Sequence, residues 1–287
     1  MKPSLAAVVA SLALAGAAIA APAPDTAGPQ YQSTGEQSRT YKFPGTGEEI
    51  AYHLYVPSSW NRKARLPLVV VTHGAAQPPA APFQRPMDAP TLAKTAEARG
   101  YIVVAVTGYH ANATGVGGWN VPYKMVTIPR PANPNAPPPA NPAPAAPTDQ
   151  DFQRAEQDVL YVGDLVAKEY NVPPGRRYLM GNSSGGSAVW AYAAKYPTRW
   201  AAIAPSAAPL EDASFPYEKL KRVPVLVIHG DKDNVMNFDA SKAMVDHAKA
   251  KGVDAIWLPV QGGAHTDAWA QPAVIAQIFD FFDAHRK

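Results

Sequence analysis

The run Tyr178-Leu179-Met180-Gly181-Asn182-Ser183-Ser184-Gly185-Gly186 decides the reading of this chain. Apolar residues lead into a Gly-x-Ser-x-Gly turn, and helix formers begin at Ser187. The pattern reads as strand, sharp turn and helix. The glycines let the backbone turn tightly and approach its neighbours, so the Ser183 hydroxyl stands above the strand end. Because Gly and Ser are common in loops, the pattern gains its force from two segments nearer the C-terminus. Asp233 lies in His229-Gly230-Asp231-Lys232-Asp233 and His265 in Gly262-Gly263-Ala264-His265. The chain therefore carries, in this order, a serine, an acid and a base, each in a Gly-rich turn.

Working outward, short apolar runs alternate with helical segments. Strands are expected at 41–43, 50–56, 66–72, 102–106, 177–180, 201–204, 223–229 and 255–260, and helices at 89–99, 151–170, 187–196, 239–251 and 267–285, with Asp239 capping the fourth helix. Most of the strand runs are apolar throughout, which means burial on both faces. The fold class is α/β: a mainly parallel sheet with helices on both faces and an antiparallel N-terminal edge. Sites in such sheets lie at the carboxyl ends of the strands, where His73, Ser183, Asp233 and His265 all fall.

The 287 residues, 47% of them hydrophobic, suit one large domain over 39–287. A net charge of +3 with scattered Lys and Arg excludes a nucleic-acid partner. Zero cysteines exclude disulfides, thiolate metal sites and a cysteine nucleophile. Lys2, the uncharged apolar stretch 5–18 and Ala18-Ile19-Ala20 read as an export signal over 1–20, which predicts a secreted or periplasmic protein with no stable membrane association after cleavage. Residues 21–38, rich in Pro and Gly, are expected to be a flexible leader. The proline-rich insertion 129–147 suits neither helix nor sheet; it reads as a surface insertion, with a lid over the site as the alternative.

A serine hydroxyl needs a base to take its proton as it attacks a carbonyl. His265 is the candidate, with His110 its rival, while His73 and His229 read as structural. Asp233 is the candidate acid that orients His265, and Asp231 the alternative. An oxyanion needs two donors: the amide of Ser184, and that of Ala75 (then Ala76) in the loop after His73-Gly74. Tyr109, Trp119 and Trp269 fall in loops near strand ends and are candidates to contact substrate, against local packing as the plainer reading. This chemistry calls for no metal and no organic cofactor, and a monomer suffices for it.

Thr72-His73-Gly74, Trp119-Asn120, the 181–186 turn, His229-Gly230-Asp231-Lys232-Asp233 and Gly263-Ala264-His265 together resemble the α/β-hydrolase esterases grouped with polyhydroxybutyrate depolymerases, feruloyl esterases and prolyl-oligopeptidase-like domains. The likeness runs from about Arg39 onward. It implies a secreted serine hydrolase acting on small or polymeric carboxylic esters through an acyl-enzyme, with Ser183, Asp233 and His265 as triad. A peptidase or amidase of the prolyl-oligopeptidase type is the nearest alternative, and a non-catalytic binding protein on the same fold a remote one. The stretch before Leu66 is too short for the propeller that normally precedes the peptidases, so esters are the expectation. Depolymerase and feruloyl esterase relatives usually carry cysteines near the first oxyanion loop, where this chain has Ala75.

Overall fold

Valine-rich pentapeptides such as Leu68–Thr72 and Ile102–Val106 can bury every side chain only if both faces of their sheet are covered, and both do so. The computed structural model describes residues 22–75, 91–109, 119, 121–129, 148–211, 215–266 and 271–286. Its strands are β1 (Gly35–Lys42), β2 (Glu49–Val56), β3 (Leu68–Thr72), β4 (Ile102–Val106), β5 (Arg177–Asn182), β6 (Ala202–Ser206), β7 (Val225–Gly230) and β8 (Ala255–Val260). Its helices are α1 (Thr91–Arg99), α2 (Asp149–Glu169), α3 (Ser184–Lys195), α4 (Phe238–Ala250) and α5 (Pro272–Ala284). They form one eight-stranded sheet in the order β1-β2-β4-β3-β5-β6-β7-β8. The β1/β2 and β2/β4 pairings are antiparallel and the rest parallel, as the apolar runs predict.

Alternation along the strands divides the core. Val70, Val104, Leu179, Ile203 and Val225 meet α2, α3 and α4 on one face. Val69, Val71, Val103, Met180 and Ile228 meet α1 and α5 on the other. Each fully buried Val or Leu contributes about 1.5–3 kcal/mol relative to exposure, so this two-sided burial is what sets the parallel sheet.

Three differences from the sequence reading have physical causes. Order does not wait for Arg39: β1 begins at Gly35, and the expected flexible leader over 21–38 is tied down in its second half. The Gln32 amide donates to the Glu169 carboxylate at 2.7 Å, and the Tyr170 hydroxyl donates to the Ser33 carbonyl at 2.8 Å. Arg39 grips both Glu169 oxygens at 2.9 Å and also reaches the Gln30 carbonyl. Secondly, α2 starts ahead of its expected position because Thr148 and Asp151 close a reciprocal capping box at its N-terminus. Lastly, Asn237, not Asp239, caps α4, its side chain accepting from the Ala240 amide at 2.9 Å. The export signal and most of the proline-rich insertion lie outside the described residues.

Candidate active site

Ser183 sits between the last residue of β5 and the first of α3 with φ 57° and ψ −125°. A side-chain-bearing residue held there stores on the order of 1–3 kcal/mol, so the surroundings must enforce it. The Ser183 amide donates to the Ser206 carbonyl of β6 at 2.9 Å, and its carbonyl accepts from the Ser187 amide at 3.0 Å. The Thr72 hydroxyl, at the end of β3, lies within 3.2 Å of the Met180 carbonyl and 2.8 Å of the Gly185 carbonyl, linking strand and helix across the turn. A Cβ at Gly185 would stand 2.2 Å from the Thr72 carbonyl oxygen, so only glycine lets α3 begin against β3.

The base arrives from the far side. Two strand-exit loops, after β7 and after β8, are laced together by the Asp231 amide on the Val260 carbonyl at 3.1 Å and the Lys232 amide on the Gly263 carbonyl at 3.0 Å. The Asp231 carboxylate accepts from the Gly262 amide at 2.7 Å. Asp231, the alternative acid, thus braces the loop that carries His265. Gly230 makes the lacing possible, since a Cβ there would meet the Gly263 carbonyl oxygen at 2.0 Å.

That lacing brings His265 Nε2 to 3.0 Å from Ser183 Oγ and His265 Nδ1 to 2.8 Å from Asp233 Oδ2. A carboxylate can only accept, so Nδ1 carries the proton and Nε2 is free to accept from the serine hydroxyl. The Asp233 side chain is fully buried. Burial by itself would push its carboxyl pKa up, but hydrogen bonds from His229, His265 and the Met236 and Val235 amides outweigh this and hold it well below the usual carboxylate range. The group is therefore an anion at any working pH. His229, read as merely structural, is the residue that sequence reasoning missed: its Nε2 meets the same Asp233 oxygen at 2.9 Å. Its spacing of four residues before Asp233, across a turn, is the available signal.

The two expected oxyanion donors sit on neighbouring strand exits, because Thr72 of β3 pairs with Gly181 of β5. Ser184 is the first residue of α3, where amides have no partner within the helix. Ala75 comes directly after the His73-Gly74 exit of β3, and Ala76 lies outside the described residues. His73 is buried, and burial lowers its pKa against bonds to the Gly74 and Thr107 carbonyls at 2.7 and 3.1 Å.

The candidate substrate contacts fare differently. Tyr109 is 5% exposed, with its ring 4.5 Å from that of Phe43 and its hydroxyl bonded to Glu48. Trp119 is 3% exposed and donates its indole N–H to the His73 carbonyl at 2.7 Å. Both rings are packed into the protein, and Trp119 braces the loop that carries Ala75. Trp269 and the rival base His110 lie outside the described residues. Among the described residues no cluster of His, Cys, Asp or Glu is placed to hold a metal ion.

The arrangement is able to draw a proton from a hydroxyl and return it to a leaving group. A family model named Esterase matches residues 44–280. Over 196 residues the chain is 28% identical to a bifunctional acetylxylan esterase/xylanase of Neocallimastix patriciarum, covering 68% of this chain but 22% of that protein. Among solved structures, a ferulic acid esterase from Anaeromyces mucronatus in complex with ferulic acid superposes with a TM-score of 0.59 at 16% identity, over 90% of this chain and 95% of that one. A prolyl endopeptidase superposes with a TM-score of 0.58 at 12% identity, over 87% of this chain and 38% of that one. At these identities the structural likenesses speak for the α/β-hydrolase fold.

Proposed function

The chain belongs to the Esterase family, and from that premise we propose that it is a serine hydrolase of carboxylic esters. The observation that carries the reading is the continuous hydrogen-bonded chain from Ser183 through His265 to Asp233. In it, Ser183 Oγ attacks the ester carbonyl while His265 Nε2 takes its proton, and the imidazolium so formed lies against the buried Asp233 anion. The amides of Ser184 and Ala75 receive the oxyanion; removing one such donor typically costs about 2.7–4 kcal/mol. His265 then protonates the departing alcohol, leaving an acyl group on Ser183. A water deprotonated by His265 attacks this acyl-enzyme, and the carboxylic acid leaves as Ser183 recovers its proton.

Acyl groups esterified to plant polysaccharide, or the linkages of a polyester, are the substrates to which the reading points, in keeping with the acetylxylan and ferulic acid named for its relatives. Such substrates suit a protein exported by its N-terminal segment and acting as a monomer. Among the described residues no helix is long and apolar enough to cross a membrane.

Hydrolysis of p-nitrophenyl acetate, longer p-nitrophenyl esters and methyl ferulate beside the Ser183→Ala variant tests this. The expected result is a loss of kcat by about 10⁴-fold or more. Activity that survives the substitution sinks the assignment. Matched ester and anilide substrates separate it from the peptidase reading, which a clear preference for the anilide would favour.

A further inference from the structure

The mechanism uses Asp233 through one of its hydrogen bonds, yet the same carboxylate oxygen meets a second histidine. Oδ2 lies 2.8 Å from His265 Nδ1 and 2.9 Å from His229 Nε2, while Oδ1 accepts from the Val235 and Met236 amides at 2.8 and 2.9 Å. His229 is wholly buried, and its Nδ1 lies 2.7 Å from the hydroxyl of Ser241, itself buried on α4. Since the carboxylate only accepts, His229 carries a proton on Nε2, and in the neutral ring its Nδ1 accepts from the Ser241 hydroxyl. Every polar atom of this second imidazole is satisfied in the neutral form. The rings of Phe238 on α4 and Trp257 on β8 pack around it, so Asp233 is the charged group it meets and His265 the titratable group beyond.

We propose that His229, held with its Nε2–H on the carboxylate and its Nδ1 against Ser241, is a positioning residue that fixes Asp233 and limits its pull on His265. Two donors on one oxygen share its electron density, so each bond is weaker than it would be alone. This keeps the Asp233–His265 bond firm enough to orient the base without trapping the proton that His265 must hand on to the leaving group. The pair also stops Asp233 from rotating about its χ angles, since the backbone amides hold the other oxygen. The Ser183–His265–Asp233 triad thereby extends through His229 to Ser241, drawing β7 and α4 into the site.

The inference rests on the ester-hydrolase reading, so its test reports on Ser183 independently of the substrate. The rate at which a fluorophosphonate labels Ser183 would be tracked from pH 4 to 9 in the wild type and the His229→Leu, His229→Gln and Ser241→Ala variants. Folding would be checked by circular dichroism, and kcat and KM measured on p-nitrophenyl acetate. His229→Leu removes the second donor. It is expected to slow labelling and kcat by about ten- to a hundredfold with KM little changed, the worth of one hydrogen bond to a charged group. It should also move the acid limb to higher pH by on the order of one unit, because Asp233 then favours the protonated form of His265 more strongly. His229→Gln, which can still donate from Nε2, should keep the limb in place and recover most of the rate. Ser241→Ala should move the limb the same way but less. A folded His229→Leu protein whose acid limb is unmoved overturns the proposal. If His229→Leu does not fold, an unmoved limb in Ser241→Ala overturns it instead. A wild type that does not label would overturn the ester-hydrolase reading and this inference with it, whereas labelling with unmoved limbs defeats the inference alone.

Discussion

Two buried carboxylates, Glu169 at the end of α2 beside the edge strand β1 and Asp233 at the catalytic end of the sheet, are held in opposite ways. Glu169 faces a guanidinium: Arg39 lies 2.9 Å from both of its oxygens, with side chains 7% and 2% exposed. Asp233 faces no permanent cation, only two imidazole N–H groups and two backbone amides. A permanent cation cancels the charge of Glu169 and locks the N-terminal strand in place. Donors without a permanent charge hold Asp233 ionised and leave it available to the imidazolium that forms when Ser183 attacks. The first arrangement is a fastening and the second a poised electrostatic device.

The contrast breaks most clearly under substitution. Asp233→Asn should lower kcat by about 10⁴-fold, because an amide can donate to His265 Nδ1 and favour the wrong tautomer, while the folded state persists. A kcat within tenfold of wild type would show that the carboxylate does not orient the base. Glu169→Gln should do the reverse, destabilising the protein by about 3–5 kcal/mol by leaving the Arg39 charge buried without a counter-ion, with kcat unchanged at temperatures where the variant is folded. Urea unfolding and steady-state kinetics on the same preparation check both halves.

A pH series sharpens the comparison. A carboxyl held below its usual range stabilises the fold above its unfolded value of about 3.9, and this contribution is lost as pH falls through the folded value. The stability difference between wild type and Asp233→Asn should therefore shrink as pH falls below about 4. A difference that grows on acidification would mean that Asp233 is not held ionised. The smallest expected effect lies away from both carboxylates. Thr148→Ala removes one half of the α2 capping box and should cost about 1 kcal/mol with no change in kcat; a kcat change would tie the start of α2 to the site.

Much of this was legible in residue order. The Gly-rich turns at Ser183, Asp233 and His265 place three reactive side chains at strand exits, and the apolar strand runs predict the parallel sheet to within a few residues. The fastening of the leader is not legible there, because its low apolar content says nothing of Arg39 and Glu169, which meet across 130 positions. Tyr109 and Trp119 look like loop aromatics open to a ligand, and only the packing of Phe43 and the His73 carbonyl against them reveals their burial.

The strand, turn and helix around Ser183 are written in local chemistry, since glycines and apolar runs act on their own few residues, although β3 and β6 hold the strained turn in place. That His265 joins His229 on one oxygen of Asp233 was decided by tertiary structure. Those partners come from β7, from the loops after β7 and β8, and from Ser241 on α4. Hydrogen bonds between such elements depend on distances that no pattern along the chain encodes.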